Sequence, residues 1–156
     1  MIYHQCAMCN QLNKRFDELN INNSIITQEI KYEDGRYVGQ VVNGLPEGKG
    51  IRYWNDGERY EGDFRNGKME GKGIYYYKSG SRYEGDWKND KKEGKGIYYY
   101  KNGRIYEGDY KNDKKEGKGI YYYNNGDRKM GNYSNNKPIG KHALLKNNGE
   151  IKIINF

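Results

Sequence analysis

Residues 83–105 read YEGDWKNDKKEGKGIYYYKNGRI, and the block that starts at Tyr106 reads YEGDYKNDKKEGKGIYYYNNGDR. The two blocks are nearly identical, and Tyr83 and Tyr106 are separated by a period of 23 residues. Such a period is long enough for one supersecondary unit and far too short for a domain. The sequence is therefore a tandem array of small units, with segments that cap and flank them.

Glycines keep this period across five blocks without an insertion or deletion. The first of four such series is Gly39, Gly62, Gly85, Gly108 and Gly131. A stack of units requires a constant phase, because each unit must meet its neighbour in the same way.

The pattern inside a block predicts a β-hairpin. Residues 83–87 alternate apolar or small with acidic residues, residues 89–94 are polar and turn-like, and residues 95–101 form a second strand pattern. Asn102-Gly103 is a strong signal for a tight turn into the next block. Since an isolated hairpin is barely stable in water, the hairpins must lie side by side. The predicted fold is all-β, an elongated single-layer antiparallel sheet of stacked hairpins with ten or more strands.

The predicted domain organisation has two parts. Residues 1–24 form an N-terminal segment, in which Met8, Leu12, Phe16 and Leu19 have the spacing of a short amphipathic helix. Residues 25–156 form the repeat array. Its blocks are 37–59, 60–82, 83–105 and 106–128, followed by a degenerate cap over 129–156.

Alternation along each strand gives the predicted sheet two unequal faces. Tyrosine and tryptophan rings can lie on Cβ-free glycines on one face, which we expect to be the core. The opposite face carries acids and lysines that can pair across strands, together with Ile97 and Tyr99. This isoleucine–tyrosine pair recurs in the four blocks from 37–59 to 106–128 and forms an apolar stripe, of which we interpret the part from the second to the fourth block as a partner-binding surface. Its residues are Ile74, Tyr76, Ile97, Tyr99, Ile120 and Tyr122.

Lysines on the second face and in the turns favour an alternative function, attachment to anionic lipid. The candidate lipid-binding residues are Lys72, Lys95, Lys118, Lys91, Lys92, Lys114 and Lys115. Glutamates two residues before each ladder lysine partly cancel this positive charge, as Glu93 does for Lys95.

Composition and charge narrow the function classes. The net charge is +7, but acids are interleaved throughout, so the clustered basic stripe typical of nucleic-acid binding is absent. No run of about 18 apolar residues exists to span a membrane, and Met1 is followed by no apolar signal-peptide region. The expectation is a cytoplasmic protein that attaches to larger structures only by its surface.

Catalytic and metal-binding patterns find little support. No set of nucleophile, base and acid is visible, because the acids recur at repeat spacing opposite lysines. His4, Cys6 and Cys9 are weak candidates for a zinc site, but a closed site needs four ligands. Zinc shared across a dimer is the alternative to ordinary thiols. We therefore predict neither an enzyme nor a resident metal or cofactor.

The repeated tyrosine and glycines resemble the MORN repeat (membrane occupation and recognition nexus). The match is carried in each block by positions such as Tyr83, Gly85, Gly94, Gly96 and Gly103. Blocks 37–59, 60–82 and 106–128 fit likewise, and residues 129–149 fit in part.

The resemblance implies an elongated β scaffold at a membrane or cytoskeletal structure, self-association in many members and phosphoinositide binding in some. The predicted function is a non-enzymatic scaffold or adaptor that binds another protein, with a homodimer as one form. The alternative is a peripheral membrane module that binds anionic phospholipids or phosphoinositides through its basic face.

Overall fold

The structure, a computed structural model, describes residues 27–156, which form one twelve-stranded antiparallel sheet. Its strands are β1 Thr27–Tyr32, β2 Gly35–Val42, β3 Leu45–Trp54, β4 Arg59–Arg65, β5 Lys68–Tyr76, β6 Arg82–Lys88, β7 Lys91–Tyr99, β8 Ile105–Lys111, β9 Lys114–Tyr122, β10 Arg128–Ser134, β11 Lys137–Leu145 and β12 Ile151–Asn155. Each strand pairs with the next one along the chain. The predicted single-layer antiparallel sheet is confirmed, and the predicted N-terminal helix lies outside the described residues.

Two-residue turns join the strands within each repeat. In the third repeat the turn is Asn89-Asp90, with φ values of 48° and 65°. Positive φ at both central residues is the type I′ geometry, which matches the twist of a hairpin, and Asn and Asp enter this region more readily than most residues. The predicted turn over 89–94 is therefore wrong in length, and β7 begins at Lys91.

The charged residues around these turns connect each hairpin to the next. The Asn89 N–H donates to the Glu70 carboxylate at 3.0 Å, and the Met69 N–H donates to Asp90 Oδ1 at 2.8 Å. Glu70 thus lies in a strand and supports the neighbouring turn, although its counterpart Glu93 looks like a turn former in the sequence.

Loops of four or five residues join one repeat to the next. Between β7 and β8, the Gly103 N–H donates to the Tyr100 carbonyl and the Tyr100 N–H donates to the Arg104 carbonyl, both at 2.9 Å. The Asn102-Gly103 pair is the tip of this loop, which is longer than the predicted tight turn.

The core consists of tyrosine rings laid on glycine backbone, as predicted. Tyr37, Tyr60, Tyr83 and Tyr106 are fully buried. A Cβ added at Gly96 would lie 2.5 Å from Cζ of Tyr83, so only glycine leaves room for the ring. Burial raises the pKa of Tyr37 to about 12, because an ionised phenol would lose its hydration.

A second series of aromatic side chains locks these tyrosines together. Trp87 lies edge-to-face with both Tyr60 and Tyr83, at centroid distances of 5.2 and 5.3 Å. Each such pair contributes roughly 0.5–1.5 kcal/mol beyond burial. Phe64, Tyr110 and Tyr133 take the same position in their repeats, so the core is one continuous zipper of rings.

His142 completes this zipper at the C-terminal end. The repeat tyrosine is replaced by Lys129, and the fully buried His142 ring occupies the vacated site above Gly131. Nε2 of His142 lies 2.8 Å from the Asn132 carbonyl. Because a carbonyl only accepts, Nε2 carries the proton, as the Tyr83 hydroxyl does toward the Asp86 carbonyl at 3.1 Å.

Candidate functional site

The sheet face opposite the tyrosines carries three rows of side chains that run across the strands. We call them the central row, which includes Ile97; the lysine–aspartate row, which includes Lys95; and the arginine–tyrosine row, which includes Tyr99. The central row, the glycines beside it and the lysines of the lysine–aspartate row line an open groove of about 1080 Å³. The groove extends from Thr27 on β1 to Ile120 on β9.

The central row alternates isoleucine and glutamate, one residue per strand. In order across the sheet it contains Val38, Ile51, Glu61, Ile74, Glu84, Ile97, Glu107 and Ile120. The four isoleucines are half-buried, whereas the three glutamates are exposed. Strands lie about 4.8 Å apart, so each residue type recurs every ~9.6 Å.

The lysine–aspartate row forms one rim of the groove, and its charges are paired between repeats. Nζ of Lys49 lies 2.6 Å from Asp63, and Nζ of Lys72 lies 2.5 Å from Asp86. Lys95 and Asp109 make the same pair in the next repeat. The predicted pairing of acid with lysine across strands is therefore present.

The aspartates of this rim stay ionised because of their hydrogen bonds. Partial burial would raise the pKa of Asp63, but hydrogen bonds from the Lys49 amine and the Lys72 N–H hold it below the ordinary value. Asp86 has a lowered pKa for the corresponding reasons. Each aspartate thus fixes both a lysine side chain and the bulged backbone of the next strand.

The arginine–tyrosine row flanks the central row on its other side. The Arg59 guanidinium lies 4.0 Å from the ring centre of Tyr76. The Arg82 guanidinium lies at the same distance from the ring centre of Tyr99. These arginines were not among the predicted site residues, although their spacing of 23 residues is visible in the sequence. They cover one face of each tyrosine ring, which leaves those tyrosines half-buried.

The structure brings all six residues of the predicted partner surface onto this one face. The isoleucines line the groove, and the tyrosines lie beside it under the arginines. The predicted lipid-binding lysines do not share one surface. Lys91 and Lys114 are exposed at strand starts, while the amine of Lys115 donates to the hydroxyls of Tyr100 and Tyr121 on the core side at 2.7 and 2.8 Å.

Lys92 has a similar environment on the core side. Its amine donates to the Tyr77 hydroxyl at 3.1 Å, and burial lowers its pKa. Only Lys72, Lys95 and Lys118 of the lysine set line the groove.

The described residues 27–156 contain neither of two further site types, a cluster of metal-ligating side chains and a long apolar helix. No group of three or more His, Cys, Asp or Glu side chains in that range could hold a metal ion. His4, Cys6 and Cys9 lie outside the described residues. No helix among residues 27–156 is long and apolar enough to cross a membrane.

A family model for the MORN repeat matches residues 37–59, 60–82, 83–103 and 106–128. The chain belongs to the MORN-repeat family. The resemblance found in the sequence is thereby confirmed. MORN repeats are generally non-enzymatic modules for protein and membrane interactions.

Among solved structures, the chain is similar to the TCP domain of SAS-4 (dCPAP) from Drosophila melanogaster, determined in complex with a proline-rich motif of Ana2 (dSTIL). The match has a TM-score of 0.44 and 17% identity, and covers 83% of this chain and 90% of that one. A search of curated proteins found no match.

Proposed function

We propose that this MORN-repeat chain is a non-enzymatic scaffold whose groove binds a segment of another protein. One observation carries the proposal: the half-buried isoleucines Ile51, Ile74, Ile97 and Ile120 lie in register along an open groove. An apolar series of this length on a soluble surface is typical of an interaction site. We further expect the protein in the cytoplasm at a membrane-associated or cytoskeletal structure, an expectation supported by the family alone.

The alternative, attachment to anionic lipid, has less support. Lys72 and Lys95 are each held by an aspartate, so this rim is close to neutral. Lys92 and Lys115 point toward tyrosine hydroxyls on the core side. Of the other candidate lysines, Lys91 and Lys114 are exposed at the starts of β7 and β9, outside the groove.

A selection experiment tests the groove. Peptides selected from a random library against the wild-type protein should lose at least about tenfold in affinity, or ~1.4 kcal/mol, on the variant Ile74→Thr/Ile97→Thr/Ile120→Thr. Threonine keeps the branched shape that suits a strand but removes apolar surface from the groove. Fluorescence anisotropy measures the affinities.

The matched control is Lys68→Thr/Lys91→Thr/Lys114→Thr, which places three threonines at exposed strand starts outside the groove. Equal binding by all three proteins would contradict the groove proposal. Salt-sensitive binding to phosphoinositide vesicles, lost in the lysine variant, would favour the lipid alternative instead.

Self-association through β12 is a second candidate function. Ile151 and Ile153 are 66% and 61% exposed on this outer strand, whereas the opposite outer strand, β1, begins with Thr27-Gln28-Glu29. An apolar outer strand with unpaired backbone groups is a template for another strand. Antiparallel pairing of two β12 strands would extend the sheet across a two-fold axis.

Ile153→Lys should therefore shift the protein from dimer to monomer, because a charge would lie opposite its own copy at the dimer axis. Light scattering at several concentrations measures the mass. Thr27→Lys on β1 is the control and should leave the mass unchanged. A monomeric wild-type protein over the whole concentration range would rule out this assembly.

A further inference from the structure

The groove has a period and a charge pattern that define its ligand more closely. Resting on the proposed function, we propose that the groove binds an extended protein segment with a basic residue at every third position. The segment runs along the central row, across the strands, and places its basic side chains over Glu61, Glu84 and Glu107.

The first argument is the match of two repeat lengths. Along the central row, glutamates recur every second strand, or about 9.6 Å. A polyproline II chain rises 3.1 Å per residue and completes a turn in three residues, or about 9.3 Å. Every third side chain of such a segment therefore meets the same environment in successive repeats. A helical ligand rises only about 4.5 Å in three residues and would fall out of phase.

The second argument is the state of the central-row acids. Within residues 27–156, neither Glu61 nor Glu84 has a basic side chain within ion-pairing distance, and Glu107 accepts only the Tyr122 hydroxyl, at 2.9 Å. The neighbouring Asp63 and Asp86, by contrast, are held by lysines. The central row thus presents a line of acids without cationic partners, each flanked by isoleucines.

The third argument is that the rims disfavour other spacings. On one side, Arg59 and Arg82 lie over Tyr76 and Tyr99. On the other side stand the lysines of the lysine–aspartate row. A basic side chain out of phase with the glutamates would meet an isoleucine, an arginine or a lysine already paired with an aspartate, and would find no free carboxylate. The groove therefore selects the phase of the positive charges as well as their number.

The test uses two synthetic twelve-residue peptides of the same composition. The first repeats Arg-Pro-Ala four times, and the second carries its four arginines at every second position. Fluorescence anisotropy should show the first peptide binding at least about fivefold more tightly to the wild-type protein. Equal affinity for the two peptides would overturn the proposal.

Variants of the protein identify the acids involved. Glu61→Gln/Glu84→Gln/Glu107→Gln should weaken binding of the first peptide at least about tenfold. The control Glu33→Gln/Asp56→Asn/Glu150→Gln changes net charge equally at exposed sites outside the groove and should weaken it less than about threefold. Equal loss in both variants would mean nonspecific attraction and would overturn the proposal.

Charge reversal gives a second readout that does not depend on a loss. Glu61→Lys/Glu84→Lys/Glu107→Lys should bind peptides in which glutamate replaces arginine. It should bind the peptide with glutamate at every third position more tightly than the one with glutamate at every second position. If library peptides bind through the isoleucines but carry no basic residue at every third position, the groove function stands and this inference fails.

Discussion

Replacing Tyr83 with alanine should lower the free energy of unfolding by about 3–5 kcal/mol, the usual cost of removing a large buried aromatic side chain. Tyr83 is fully buried, lies on glycine backbone and packs edge-to-face against Trp87 and Tyr110. Its loss opens a cavity in the middle of the array and interrupts the zipper of rings. Urea unfolding followed by circular dichroism measures the change.

Tyr99→Ala is the matched control, because it removes the same side chain from the opposite face of the neighbouring strand. Tyr99 is half-buried and contacts the Arg82 guanidinium. A partly exposed cation–π contact and its cross-strand packing contribute roughly 1–2 kcal/mol together. If Tyr99→Ala were as destabilising as Tyr83→Ala, the groove side would belong to the folding core and the assignment of faces would be wrong.

The fold was predictable because its determinants are local and repeated. Tyr83, Gly85 and Gly96 recur at one spacing. A tyrosine ring that lies directly on the backbone needs residues without a Cβ, so it must pack on the glycines. Turn length was harder to predict. Asn89-Asp90 is a less familiar type I′ pair than Asn-Gly, and the charged residues after it looked like more turn. Their role in supporting the neighbouring hairpin depends on contacts between repeats, such as Glu70 with Asn89.

The groove was only partly predictable. Alternation placed Ile97 and Tyr99 on the second face, but a groove on that face depends on how all the strands twist and bulge together, which alternation within one block does not give. The pairing of Arg82 with Tyr99 depends on strand register. Lys92 appeared to be a surface residue, because alternation does not show the bulge between Gly85 and Trp87. This bulge shifts the register and places Lys92 opposite Trp87.

The second large effect is expected at the C-terminal repeat, where Lys129 stands in place of the repeat tyrosine and His142 in place of a repeat glycine. His142→Gly should cost about 3 kcal/mol, since it removes a fully buried ring from the zipper. Lys129→Tyr alone should also destabilise, by roughly 1–3 kcal/mol, because the new ring and His142 compete for one site. The double variant restores the tyrosine and glycine of the other repeats and should be close to wild-type stability.

Since the single effects sum to about 4–6 kcal/mol and the double variant is close to wild type, the double-mutant cycle of Lys129 and His142 has an expected coupling energy of about 4–6 kcal/mol, above the usual range for residues in contact. Urea unfolding of the four proteins gives this value.

A shared hydrogen-bond acceptor explains why tyrosine and glycine can replace Lys129 and His142. A hydroxyl at position 129 would donate to the Asn132 carbonyl, three residues on, as Tyr60 does to the Asp63 carbonyl at 3.0 Å. The same carbonyl now receives Nε2 of His142 at 2.8 Å. Additive single effects would mean that His142 fills space of its own and does not replace the repeat tyrosine. A strong coupling would show that the C-terminal repeat keeps the core of the others while exchanging the residues that build it.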